Sequence, residues 1–186
     1  NWGGIPTKAL LRSAEVYHLA KTAGAFGLKI KDIESDIDAI VKRSRDVAKQ
    51  LTGGVGHLLK KNKIEVLNGH ARLLGKGRIA IEVDGTAIMD VSAKHIILAT
   101  GARARDLPGM EADGKQIWNY RHALVADSVP KRLLVVGSGA IGIEFAPFFN
   151  TLGSEVTVVE ALERVLPVED EEIFAPALKA LQAQGP

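Results

Sequence analysis

Six consecutive residues, Gly137-Ser138-Gly139-Ala140-Ile141-Gly142, space three glycines as G-x-G-x-x-G, and an acid, Glu160, stands 18 residues beyond the last of them. This spacing suits a pyrophosphate. The first glycine permits a tight turn, the second lets the backbone approach the phosphates, and the third lets the following helix pack closely on its sheet. Amide N–H groups at the start of that helix, at the positive end of its dipole, would face the anion. Glu160 would accept hydrogen bonds from both ribose hydroxyls and would repel a 2′-phosphate, which favours NAD over NADP. Glycine-rich turns arise for many structural reasons, so the motif takes its weight from what surrounds it.

Those surroundings are a strand, a helix and a second strand in order. Leu133-Leu134-Val135-Val136 is a short apolar run leading straight into Gly137, a helix-length stretch leads to Gly153, and Glu155-Val156-Thr157-Val158-Val159 alternates as a strand ending at Glu160. Residues 131–160 are thus expected to form a βαβ dinucleotide unit. Two prolines complicate the helices. Pro147 falls inside the first and Pro176 inside one expected over 170–184, and each removes a backbone donor at a general cost of about 3 kcal/mol unless the helix bends.

Upstream, Pro6 suits a first helical turn, and Ala9, Leu10, Ala14 and Tyr17 follow at helical spacing, predicting a helix over 6–22. A second, long amphipathic helix follows from Ile37, Val41, Ser44, Ala48, Leu51, Val55 and Leu58, although Gly53-Gly54 weakens its later half. From Lys63 the period changes to two. A strand through Ile64 and Val66 and then an antiparallel meander are expected, with turns at Asn68-Gly69, Gly75-Lys76-Gly77 and Asp84-Gly85. The continuous apolar centre of His95-Ile96-Ile97-Leu98-Ala99-Thr100-Gly101 reads as a strand buried on both faces of a parallel sheet. Residues 102–132 are irregular, with at most a short helix near 120–126.

Composition excludes several classes. With 46% hydrophobic and 25% charged residues in 186, the chain reads as soluble and globular. A net charge of +2 from 24 basic and 22 acidic residues leaves no basic stripe, so nucleic acid is not an expected partner. No apolar run is long enough to cross a bilayer, and no membrane association is expected. The start, Asn1-Trp2-Gly3-Gly4, has neither an initiator Met nor the build of a signal peptide, and is expected to lie inside a longer protein. With no cysteine there is no disulfide framework, no thiol nucleophile and no zinc ribbon. The histidines at 18, 57, 70, 95 and 122 lack ligand-spaced or acid-spaced partners, and a metal site is not expected.

The opening run Asn1-Trp2-Gly3-Gly4-Ile5-Pro6-Thr7-Lys8-Ala9-Leu10-Leu11 resembles the active-site segment of the pyridine nucleotide-disulfide oxidoreductases, in particular the dihydrolipoamide dehydrogenases. Three later stretches agree in order: Lys60-Lys61-Asn62-Lys63 with Asn68-Gly69; Ala99-Thr100-Gly101-Ala102 with Leu107-Pro108-Gly109; and Gly137 to Glu144 with Glu160. The resemblance implies an α/β fold, a partial two-domain flavin/nicotinamide Rossmann-like arrangement with a small antiparallel meander in the flavin half. It implies a partial FAD-binding domain over 1–110, a link over 111–130 and a partial NAD-binding domain over 131–186.

The cofactors implied are FAD and NAD. Electrons would pass from dihydrolipoamide to a cysteine pair, then FAD, then NAD, in a homodimer acting on the lipoyl domain of 2-oxo acid dehydrogenase complexes. The location would be the bacterial cytoplasm or the mitochondrial matrix. Carried over by position, Lys8 would lie beside the flavin and pair with Glu144, its charge stabilising the reduced ring. Ala71 would contact the adenine end of FAD, and Thr100, Gly101 and Ala102 would close over it. Without the resemblance, Lys8 and Glu144 read as solvated helix residues and the other positions as simple turn chemistry.

One position departs from the family pattern. The second redox cysteine falls on Gly4, and the first would precede Asn1, as would the first flavin-binding unit. Glycine cannot supply a thiolate, so dithiol oxidation by this chain as written is excluded. No retained FAD and at best weak NAD binding are expected. A non-catalytic dinucleotide-binding module is the alternative, and related mercuric reductase-like or glutathione reductase-like enzymes are others. Glu160, with no arginine cluster beside it, disfavours the NADP-using ones.

Overall fold

A computed structural model of the chain describes residues 1–167 and 169–184. Val168, Gly185 and Pro186, which the 131–186 boundary includes, lie outside the described residues. The element order is α1 (Gly4–Lys21), a short 3-10 helix (Ala23–Phe26), α2 (Ile37–Lys61), β1 (His70–Gly75), β2 (Arg78–Val83), β3 (Thr86–Ser92), α3 (Tyr120–Ala123), β4 (Arg132–Val136), α4 (Ala140–Thr151), β5 (Glu155–Val159) and α5 (Glu171–Gln184). The chain forms two compact units, residues 1–52 with 106–186, and residues 53–105.

In the first unit the core is built where α1 meets α4. Leu10 and Ala14 of α1 pack with Phe145, Ala146, Phe148 and Phe149 of α4, with Leu152 and Val156, and with Ala123, Leu124 and Ala126 around α3. Phe148 and Phe149 meet edge to face at 4.9 Å between ring centroids, and Trp118 reaches Phe149 at 6.2 Å. Such rings add specific attraction to their large apolar burial. This burial offsets the amide that Pro147 lacks, and α4 runs unbroken through it. Pro176 is likewise accommodated inside α5.

α2 begins where the Asp36 carboxylate accepts the Ala39 amide at 3.0 Å, satisfying a free first-turn donor. Its apolar stripe is buried only in part. Ser44 and Ala48 are buried, whereas Leu51, Val55 and Leu58 are about half exposed. Arg43 ties α2 to α1 by donating to the Ala9 carbonyl at 2.8 Å.

β4 and β5 pair in parallel with Leu133 opposite Val156 and Val136 opposite Val159. α4 is the crossover between them, as the βαβ pattern requires. Before this unit, α3 is opened by Asn119, whose side chain accepts the Arg121 amide at 3.0 Å while its own amide donates to His122 Nδ1 at 3.2 Å.

The second unit holds the meander, three antiparallel strands in the order β1-β2-β3. Its two turns put Lys76 and Gly77, then Asp84 and Gly85, at positive φ, the conformation that two-residue hairpin loops demand. Ala80 and Ile81 are its buried residues, and the ion pairs Arg72–Glu82 and Arg78–Asp90, both at 2.7 Å, brace its outer surface.

Two expected strands do not form. Residues 63–67 and 95–101 are irregular, and Ile97 and Leu98 are 90% and 69% exposed. Apolar runs of this kind favour extended backbone, but a strand exists only by pairing, and neither run finds a ladder partner among the described residues.

Candidate functional site

The first unit places every residue of the glycine motif at one end of the β4–β5 pair. Gly137 leaves β4 with φ of 97°, a conformation favouring glycine, and its amide continues the parallel ladder by donating to Val159 O at 2.8 Å. Gly139 caps α4 without a side-chain bond, and a Cβ built on it meets nothing within 4 Å. The backbone is therefore open to approach there. At Gly142 a Cβ would lie 2.1 Å from the Gly137 carbonyl oxygen and 3.0 Å from Val135 Cγ1, so only glycine allows α4 to sit this close to the strand. Ala140 and Ile141 are exposed. Their amides belong to the first turn, which leaves them without intrahelical partners and suited to an anion.

Glu160 stands immediately past β5, next to that turn. Oε2 accepts the Ser138 amide at 2.8 Å and the Ser138 hydroxyl at 2.6 Å, and Oε1 accepts the Leu162 amide at 3.0 Å. These bonds, the Ser138 hydroxyl first among them, lower its pKa from 4.5 to about 2, so the carboxylate is ionised at any neutral pH. Ser138 itself is fully buried. It faces Glu160 rather than solvent. The strand register was the available signal for this, since Val136 opposite Val159 sets the residues beyond them side by side.

The second pairing is Lys8 with Glu144, which form an ion pair between α1 and α4. The Lys8 side chain keeps 64% of its exposure, against 30% for Glu144, so the ammonium is held by its counter-ion yet open to a ligand. Gly4, one turn earlier, is the first residue of α1, and a Cβ there meets nothing within 4 Å. Ala71, Thr100, Gly101 and Ala102 belong to the other compact unit. Ala71 lies on β1 opposite Ile81, Gly101 has φ of 79°, and all four are exposed.

Residue patterning alone missed a cluster at the N-terminus. The guanidinium groups of Arg45 and Arg121 lie 4.6 and 5.3 Å from the Trp2 ring centroid, and Arg45 also donates to the Asn1 carbonyl at 2.5 Å. Cation–π contacts of this kind fix the segment leading into α1. No group of three His, Asp or Glu side chains is placed to hold a metal among the described residues.

The family model for pyridine nucleotide-disulphide oxidoreductases matches residues 1–185. The chain belongs to that family. Within it, the dihydrolipoyl dehydrogenase of Zymomonas mobilis is 51% identical over 185 residues, covering all of this chain and 40% of the relative. A mitochondrial dihydrolipoyl dehydrogenase of Arabidopsis thaliana is 39% identical over 186 residues, covering 99% of this chain and 36% of the relative. Among solved structures, LpdA from Mycobacterium tuberculosis superposes with a TM-score of 0.84 at 27% identity, over 97% of this chain and 40% of that one. The HOCl-induced flavoprotein disulfide reductase RclA of Escherichia coli gives 0.75 at 26% identity, over 100% and 38%.

The chain thus spans about two fifths of the length of the curated relatives it matches. Its fold is the expected α/β, Rossmann-like one, with a parallel strand pair and an antiparallel meander. The oxidoreductase family is flavin-dependent and uses a pyridine nucleotide. No cysteine stands in this chain, and no helix among the described residues is long and apolar enough to cross a membrane.

Proposed function

We propose that this chain carries the NAD site and part of the flavin-facing surface of a dihydrolipoyl dehydrogenase. The observation that supports this most is the concentration of open glycine backbone, free first-turn amides and an ionised Glu160 at one end of β4–α4–β5. Gly137, Gly139 and Gly142 would shape the pyrophosphate turn, the amides of Ala140 and Ile141 would bind it, and Glu160 would receive the ribose. Ser138 would support that turn. Residues 1–110 would belong to the flavin portion, 111–130 to the link and 131–186 to the nicotinamide portion.

Lys8, held by Glu144, would place positive charge beside the flavin, with Ala71, Thr100, Gly101 and Ala102 contacting FAD from the remaining segment. When bound, the flavin would relay electrons between a dithiol and NAD. The whole protein would oxidise dihydrolipoamide on lipoyl domains as a homodimer, in the bacterial cytoplasm or the mitochondrial matrix. A chain without cysteine supplies no dithiol of its own.

The test is a fluorescence titration of the purified chain with NADH and with NADPH. Weak but saturable NADH binding, at least about tenfold tighter than NADPH, is expected from the like-charge repulsion between Glu160 and a 2′-phosphate. Equal binding of the two, or none of NADH, would remove the NAD assignment.

A further inference from the structure

Glu160 has two oxygens but unequal neighbours. Oε2 takes two bonds from one residue, the Ser138 amide at 2.8 Å and its hydroxyl at 2.6 Å. A carboxylate oxygen has about two acceptor sites, so Oε2 is filled from within the protein and a ribose hydroxyl must be received at Oε1. The same Ser138 hydroxyl accepts the Leu166 amide at 3.2 Å. Leu166 has φ of 52°, a left-handed conformation unusual for a leucine, and this bond helps to hold it. One fully buried hydroxyl therefore joins the glycine turn, the acid and the segment that follows β5.

We propose that Ser138 is a positioning residue that fixes the Glu160 carboxylate from beneath and thereby sets discrimination between a dinucleotide with a free ribose diol and one with a 2′-phosphate. This rests on the NAD reading above. A carboxylate fixed in place cannot swing away from a phosphate to relieve the repulsion. Without the hydroxyl it can. The Ser138 amide bond remains, so the effect is a loosening rather than a loss of the site.

The experiment compares the full chain with Ser138→Ala. In the unliganded protein, carbon-13 NMR follows the Glu160 carboxylate through an acid titration, and fluorescence gives NADH and NADPH dissociation constants. Ser138→Ala is expected to move the Glu160 titration up towards 4.5, to weaken NADH about tenfold, and to leave NADPH within about threefold of its starting value. Ser138→Cys keeps the buried volume with a weaker donor and should shift both readouts in the same direction, which covers the case in which alanine destabilises the turn. A folded variant whose Glu160 titration and NADH:NADPH ratio are unchanged would overturn the proposal. If the parent chain binds no NADH, the NAD reading fails and the specificity role fails with it. The NMR arm separately decides whether Ser138 controls the acid.

Discussion

Lys8 on α1 and Glu144 on α4 are joined by an ion pair across 136 positions of sequence, over the same interface that buries Leu10 against Phe148 and Phe149. The apolar contact and the charged one differ greatly in what they contribute. Exposed ion pairs give at most about 1 kcal/mol, whereas truncating a buried leucine costs about 2–5 kcal/mol.

Accordingly, Lys8→Ala and Glu144→Gln should each change unfolding in urea by less than about 1 kcal/mol. Leu10→Ala, whose side chain is 1% exposed, should cost about 2–5 kcal/mol. Equal losses at Lys8 and Leu10 would mean that the ion pair holds the helices together, contrary to the packing seen here.

The three motif glycines are not equivalent. Gly142→Ala drives a Cβ to 2.1 Å from the Gly137 carbonyl, so α4 must shift, at a cost of about 1–3 kcal/mol and with loss of NADH binding. Gly139→Ala meets open space and should leave urea stability nearly unchanged while weakening NADH. Identical stability for the two variants would contradict the close approach at Gly142.

Acid should act on the chain partly through Glu160. Its folded-state pKa is depressed from 4.5 to about 2, chiefly by the Ser138 hydroxyl. A depressed carboxylate favours the folded state above its unfolded value, and that contribution is lost as pH falls from 4.5 towards 2. Thermal melts of Glu160→Gln should therefore show a shallower fall of Tm across this window than the parent chain. Parallel curves would rule out the Ser138–Glu160 bonds as a source of stability.

Gly4→Cys tests the position on which the family's second redox cysteine falls. Space around the new Cβ is open, so the fold should be retained, and the variant would carry a single thiol. At the start of α1 the helix dipole should bring its pKa below the ordinary thiol value of about 8.5. Alkylation rate against pH measures this. A midpoint above 8.5 would show that the helix terminus gives no activation.

How much of this was legible in the sequence depends on how local each signal is. The G-x-G-x-x-G turn, the Asp84-Gly85 hairpin and the periodicity of α1 are set by neighbours a few residues apart, and they form as expected. The run around Ile97 carried an equally clear apolar signal, yet a strand needs a partner that no local pattern supplies. The stripe on α2 likewise predicts a face but not what covers it, and it stops being buried after Ala48.

The site shows the same division. Gly142 was readable because one residue type fits a close approach, and Ser138 was legible as part of the cofactor-binding turn but not as a partner of Glu160. Its hydroxyl gains a role only when β5 brings Glu160 alongside. The Trp2 ring meets the guanidinium groups of Arg45 and Arg121, residues that only folding brings near it.

The most direct test of the central claim is to titrate the isotopically labelled chain with NADH and follow backbone amide shifts. The site predicts the largest changes at Gly139, Ala140, Ile141 and Gly142, together with Ser138 and Leu162, whose amides bond Glu160. Saturating shifts centred elsewhere, with these amides unmoved, would contradict it.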